Sequence, residues 1–284
     1  MFGIRKALST AGFALAVAIP PGAAHANSEK VLYNFCSQAD CDDGFIPSGL
    51  IRDSDGSLYG ANYSGGSGYE VGDVFRLGAD DAYSVLYVFG IKRRNGNSPS
   101  SDLVRDKAGN LYGAAAYGGA GYDVCYMVGC GTIYKVAPDG TETVLHRFKF
   151  SDGAFYGTDG GTPIFDGAGN LYGTTAHGGN QSCYEGCGVV YKLTPKGKLT
   201  VLHSFNGADG GYFPAGPLIA DKNGNLYGVT TAGGDSTNCE GTACGTYSNW
   251  RRMEPSPFCI PSRSPMAPFP LARLCGMPPA ISLA

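Results

Sequence analysis

The chain has 284 residues, enough for one large all-β domain or two smaller ones. Its formal net charge of -3 offers no electrostatic footprint for nucleic acid. The 45 glycines fall at regular places between apolar runs, which points to many tight turns and away from disorder.

The N-terminus reads as an export signal. Arg5 and Lys6 form a short positive region, Ala7 to Ile19 is apolar, and Ala24-His25-Ala26 is a small-x-small cleavage site. Residues 1–26 are therefore predicted to be a signal peptide, with the mature chain starting at Asn27. The apolar run is too short for a membrane anchor, and no later stretch is apolar enough to span a bilayer.

Residues 31–36, "VLYNFC", resemble the last strand of a unit that repeats along the rest of the chain. The unit is marked by "DSDGSLYGANYSGG" from Asp53, "DKAGNLYGAAAYGG" from Asp106, "DGAGNLYGTTAHGG" from Asp166 and "DKNGNLYGVTTAGG" from Asp221. A "GVVYKLTP"-type run and a Val-Leu-aromatic or Val-Leu-His strand follow each of the first three. In the third unit the four strand candidates are Thr162–Asp166, Asn170–Ala176, Val189–Thr194 and Leu199–Phe205. Asp-x-x-Gly and Pro-Asp-Gly or Pro-Lys-Gly supply the left-handed positions that tight hairpins need.

Four short antiparallel strands at this period predict an all-β, β-propeller-like array; a β-solenoid is the alternative. The units span about residues 45–90, 99–149, 162–206 and 214–246 of a repeat domain over 27–246. The segment 31–36 is a closing strand for the blade at the other end of the chain. The fourth unit opens with Gly245-Thr246 and then leaves the pattern. Restoring one base after the Thr246 codon, with permitted codons, recovers "TVFKLAPDGTEPVLYSF", the missing third and fourth strands. Residues 247–284 are accordingly read as a frameshifted, disordered tail, which leaves the ring incomplete.

Eight cysteines form four close pairs: Cys36/Cys41, Cys125/Cys130, Cys183/Cys187 and Cys239/Cys244. The last three pairs occupy one place, the loop after "GG". In an exported chain they read as disulfides that hold loops. The metal reading needs further ligands near each pair, and none is evident. Cys259 and Cys275 lie in the tail without a close partner.

No unit stands out by clustered acid, base or metal residues, and no cofactor motif is read. Asp53-Ser54-Asp55-Gly56 resembles part of a calcium loop, but the other units keep only the first Asp, so a turn is the reading. The column Tyr59, Tyr112, Tyr172 and Tyr227 reads as blade core. Tyr117, Tyr122, Tyr126 and Tyr184 lie in or beside the variable loops, where they could stack on a ligand.

"GNLYGTTAHGG", "GVVYKLTPKGKLTVLHSFNGADGG" and "PAGPLIADKNGNLYGVTTAGG" resemble the GloVer tandem-repeat family, also called the choice-of-anchor repeat proteins. The resemblance covers roughly residues 31–246. It implies an exported, surface-associated bacterial protein and carries over no catalytic residues. Family members often end in an anchoring segment, and none is visible here. Two functions are then expected to compete. One is a non-enzymatic secreted, periplasmic or cell-surface module that binds an extracellular glycan or protein. The other is a propeller enzyme acting on extracellular carbohydrate or a lactone.

Overall fold

The computed structural model describes residues 29–66, 71–90, 94–155, 161–207, 211–233 and 245–250. The predicted signal peptide, Cys239 and Cys244, and the chain beyond 250 lie outside the described residues. The described chain is an all-β, propeller-like array of four antiparallel sheets in sequence order.

In the first sheet β1 (Phe45–Pro47) and β2 (Ile51–Arg52) both pair with β3 (Leu58–Ser64). Strands β4 (Asp73–Leu77) and β5 (Tyr83–Val88) follow outward. The second sheet repeats this with β6 (Asn97–Pro99) and β7 (Val104–Arg105) on β8 (Leu111–Tyr117), then β9 (Thr132–Val136) and β10 (Glu142–Arg147). The third sheet runs β11 (Ile164–Phe165), β12 (Leu171–Thr175), β13 (Val189–Leu193) and β14 (Leu199–Ser204). The fourth sheet has β15 (Gly211–Ala220), β16 (Leu226–Gly233) and β17 (Thr246–Trp250). Strand β17 thus continues four residues past the point where the sequence leaves the repeat.

The first strands of units one, two and four share a kink. Ile46, Ser98 and Phe213 sit at equivalent places in it with φ of 57°, 54° and 55°. Such values are rare for residues with a side chain, and they break the strand in the first two units. A propensity reading sees a turn there, which is why the expected boundaries at 99 and 214 fall inside the observed first strands.

Backbone bonds near the start of a unit join neighbouring units. Ser98 N–H donates to Val71 O at 2.8 Å, Phe155 N–H to Cys130 O at 3.0 Å and Phe213 N–H to Cys187 O at 3.0 Å. The second cysteine of each described loop pair therefore stands where one unit hands a backbone bond to the next. The bonds Cys36–Cys41, Cys125–Cys130 and Cys183–Cys187 are all present.

The core lies between sheets. Ala61, Val74, Phe89, Leu103 and Tyr134 join units one and two, while Ile133, Phe148, Phe155, Leu171 and Tyr191 join two and three. Val190, Phe205, Leu218 and Leu226 join three and four. A strand that packs on both faces needs few polar positions, so β4, β9 and β13 are buried except at one residue each. In units one and two the Phe that closes the fourth strand meets the third strand of the next unit edge to face. Phe89 lies 4.9 Å from Tyr134 and Phe148 lies 5.5 Å from Tyr191. Phe35 does the same to Phe75 at 5.1 Å, so it takes the place of a fourth-strand Phe preceding unit one, although residues 31–36, expected to be a closing strand, form no strand. Tyr33 stacks on Tyr83 at 4.1 Å beside it.

Tyr134 and Tyr191 are fully buried and their hydroxyls have no hydrogen-bond partner. A phenol oxygen without a partner contributes only its desolvation cost. Tyr191→Phe is therefore expected to leave stability unchanged or to raise it by up to about 1 kcal/mol, read from the urea midpoint. A loss of comparable size would show that the hydroxyl is bonded after all.

Candidate functional site

The second and third units each carry a disulfide loop between their second and third strands, and the two loops are built alike. In the first, Gly118 N–H donates to Val128 O at 2.8 Å and Cys130 N–H to Ala120 O at 2.9 Å. In the second, Gly178 N–H donates to Glu185 O at 2.9 Å and Cys187 N–H to Asn180 O at 3.0 Å. A glycine of each loop, Gly129 or Gly186, crosses the first glycine of the "GG" pair so closely that a Cβ would meet backbone atoms. Only glycine fits such a crossing.

The loop tips are strained in the same sense. Tyr126, Met127 and Glu185 adopt φ of 51°, 64° and 64°. Residues with side chains hold such angles where the surrounding structure imposes them, and these places concentrate at ligand sites. The disulfides and loop bonds supply that constraint. The result is to turn Tyr126 and Tyr184 outward, 56% and 82% exposed. Between the loops lies a groove of about 720 Å³, lined by Asp123, Val124, Met127 and Glu185 as well as the two tyrosines.

A hydrogen bond spans the groove: Tyr126 Oη–H donates to Glu185 Oε1 at 2.7 Å. Hydrogen bonding to Tyr184 and Glu185 raises the Tyr126 phenol pKa, so its ring stays neutral. His177 Nδ1 lies 3.7 Å from Glu185 Oε2. Among the four tyrosines singled out in the sequence, Tyr126 and Tyr184 come together here. Tyr117 instead accepts a bond from Tyr63 at 3.1 Å, at the seam between units one and two. Tyr122 is half-buried and does not line the groove. Asp123, Met127 and Glu185 are among the lining residues that the sequence reading missed. The signal for them was their place inside, or two residues before, the same cysteine-bounded loops.

The column Tyr59, Tyr112, Tyr172 and Tyr227 lies at the opposite turns. There Asp106, Asp166 and Asp221 each accept from an Asn amide at 2.7 Å and from the column's tyrosine hydroxyl. Hydrogen bonds of this kind hold these three carboxyls below their usual pKa, against the effect of burial at Asp106 and Asp166. Asp53 departs from this pattern and pairs with Arg105 of the next unit at 2.9 Å.

Unit one does stand out, contrary to the expectation of an unbroken repeat. Asn62 and Asp73 face each other across β3 and β4, where unit two has Ala115 and Thr132 and unit three has Thr175 and Val189. Asn62 Nδ2 donates to both Asp73 oxygens at 3.0 and 3.2 Å and to Asp43 O at 3.3 Å. All three residues are fully buried. Burial raises the Asp73 pKa; the Asn62 bond opposes this and the nearby Asp43 charge adds to it, giving a value of about 7. Burial also acts upward on Asp43, but bonds from Ser37, Tyr33 and Gln38 outweigh it and bring its pKa to about 2. Comparing the units column by column shows the Asn62–Asp73 exchange, whereas scanning for known motifs does not.

Among the described residues no three His, Cys, Asp or Glu side chains converge on a metal-sized site. No helix among them is long and apolar enough to cross a membrane.

The chain resembles several solved structures. A putative gluconolactonase aligns at 18% identity with a TM-score of 0.40, over 65% of this chain and 57% of that one. The extracellular domain of a putative hybrid two-component system from B. thetaiotaomicron aligns at 12% identity and a TM-score of 0.45, over 80% of this chain and 24% of that one. A luciferin-regenerating enzyme aligns at 14% and 0.36, over 67% and 70%. The chain thus spans about half and a quarter of the length of the first two. No match was found among curated proteins. The family description "Gloeobacter/Verrucomicrobia repeat" matches residues 22–158 and 124–244, two overlapping stretches that together take in the signature turns, the disulfide loops and the groove between them. With that match over most of its length, the chain belongs to the Gloeobacter/Verrucomicrobia repeat family.

Proposed function

We propose that the protein is an exported, non-enzymatic binding module that takes a glycan in the groove between the disulfide loops of units two and three. The observation that carries this reading is the pair Tyr126 and Tyr184, held outward on disulfide-closed loops at either side of one groove. Aromatic faces fixed in that way stack on the apolar faces of sugar rings at little entropic cost. The groove volume suits a small ligand better than the wide, flat area that a stable protein interface needs. Three disulfides among the described residues support an oxidising, extracytoplasmic setting.

A glycan array followed by calorimetry tests it. Tyr126→Ala and Tyr184→Ala are each expected to weaken binding about tenfold, or about 1.4 kcal/mol, with unfolding midpoints unchanged. An array without glycan hits, or hits indifferent to both substitutions, would overturn the reading.

The second reading is a propeller enzyme acting on carbohydrate or a lactone. Asp73 favours it, because a carboxyl with a pKa of about 7 suits proton transfer at neutral pH. The same side chain is fully buried, so a substrate has no route to it without rearrangement. That places the enzyme reading second.

A further inference from the structure

We infer that the glycan bound in this groove carries free ammonium groups: the ligand is an amino sugar chain in its deacetylated, cationic form. The inference rests on the glycan reading and narrows it. Among the described residues two carboxylates, Asp123 and Glu185, line the groove, and no Lys or Arg does. An acid-lined groove of this kind repels uronic or sulfated sugars and attracts cations. The exposed faces of Tyr126 and Tyr184 carry negative quadrupoles, which attract an ammonium at short range and add to the carboxylate field. Glu185 is fixed for that task. Tyr126 holds its Oε1, and its backbone is locked at positive φ by the Gly178–Glu185 bond. A neutral glucan can use the ring faces but brings no charge to Asp123 or to Glu185, whose Oε2 has His177 Nδ1 at 3.7 Å. An N-acetylated chain does the same and adds bulk at the charged position.

Calorimetry with three tetrasaccharides tests the inference: a fully deacetylated β-1,4-glucosamine chain, its N-acetylated counterpart, and the neutral β-1,4-glucan. The deacetylated chain is expected to bind at least tenfold tighter than either other, with affinity falling as salt is raised. Glu185→Gln keeps the acceptor for Tyr126 and removes only charge. It and Asp123→Asn should each erase several-fold of that preference. Asp139→Asn, an exposed carboxylate on a hairpin turn of unit two, should leave the preference intact and so separates local from net charge. Equal binding of all three chains, or a preference untouched by both groove substitutions, overturns this inference and leaves the glycan reading standing. Failure of all three to bind overturns the inference; the glycan array then decides separately whether the broader reading survives.

Discussion

Replacing Asp73 by Asn is expected to stabilise the protein above neutral pH and to leave it unchanged near pH 4. The folded pKa of Asp73 is about 7, raised above the value of about 4 that the unfolded chain has. Between those values the folded state holds a proton that the unfolded state has released. Stability from this site therefore falls as pH rises from about 4 to about 7, and stays low above that. A gap of about three units corresponds to about 4 kcal/mol as an upper bound. Asn mimics the protonated acid and has no such slope. The difference between variant and wild type should grow from near zero at pH 4 to about 2–4 kcal/mol at pH 8. Urea midpoints at several pH values, with equal slopes, measure it. Parallel pH profiles for the two proteins would show that Asp73 ionises freely in the folded state. Asp43 works in the opposite sense: its lowered pKa stabilises the fold above pH 4, and that contribution disappears as pH falls towards 2.

The strands and their order were legible because each recurs from unit to unit between glycine-bearing turns, although β4, β9, β12 and β13 are buried on both faces and do not alternate. The third unit shows it: β12, β13 and β14 fall within the predicted segments, trimmed by a residue or two at their ends. Phe35 was legible as a member of the column of Phe89, Phe148 and Phe205, but residues 31–36 form no strand, and the expected closing of the blade at the other end of the chain is not seen among the described residues. What sequence could not give was the kink at Ile46, Ser98 and Phe213. Nothing in those side chains favours positive φ; at Ser98 and Phe213 it accompanies a backbone bond to the preceding unit, a contact between residues far apart in sequence. The groove was half legible. Cysteine spacing marked the loops and their tyrosines, but which tyrosines face each other depends on the rotation between units. That rotation is a property of core packing, so Tyr117 and Tyr126 looked alike in sequence and end at different seams.

Gly129→Ala is expected to cost at least about 3 kcal/mol and to abolish binding in the groove. Gly129 has φ of 86°, where a Cβ alone costs about 1–2 kcal/mol. That Cβ would also lie 2.7 Å from the carbonyl carbon and 3.0 Å from the Cα of Gly118. These are backbone atoms, so no rotamer change relieves the contact. Gly118 cannot retreat either, because its N–H bonds Val128 O and its O accepts from Gly131 N–H at 3.0 Å. The loop must lift, and with it Tyr126 and the Cys130 carbonyl that receives the next unit's Phe155. Stability and binding should thus fail together, with a melting temperature lower by roughly 6–12 °C. Gly186→Ala repeats the experiment in unit three, where the partner is Gly178. Gly167→Ala is the matched control: nothing lies within 4 Å of its Cβ, and its φ is not in the left-handed region. There the smaller unfolded-state entropy of Ala should leave stability equal or raise it by about 0.4–1 kcal/mol. If Gly129→Ala and Gly167→Ala behave alike, the glycine crossing does not hold the loop, and the groove must owe its shape to the disulfide alone.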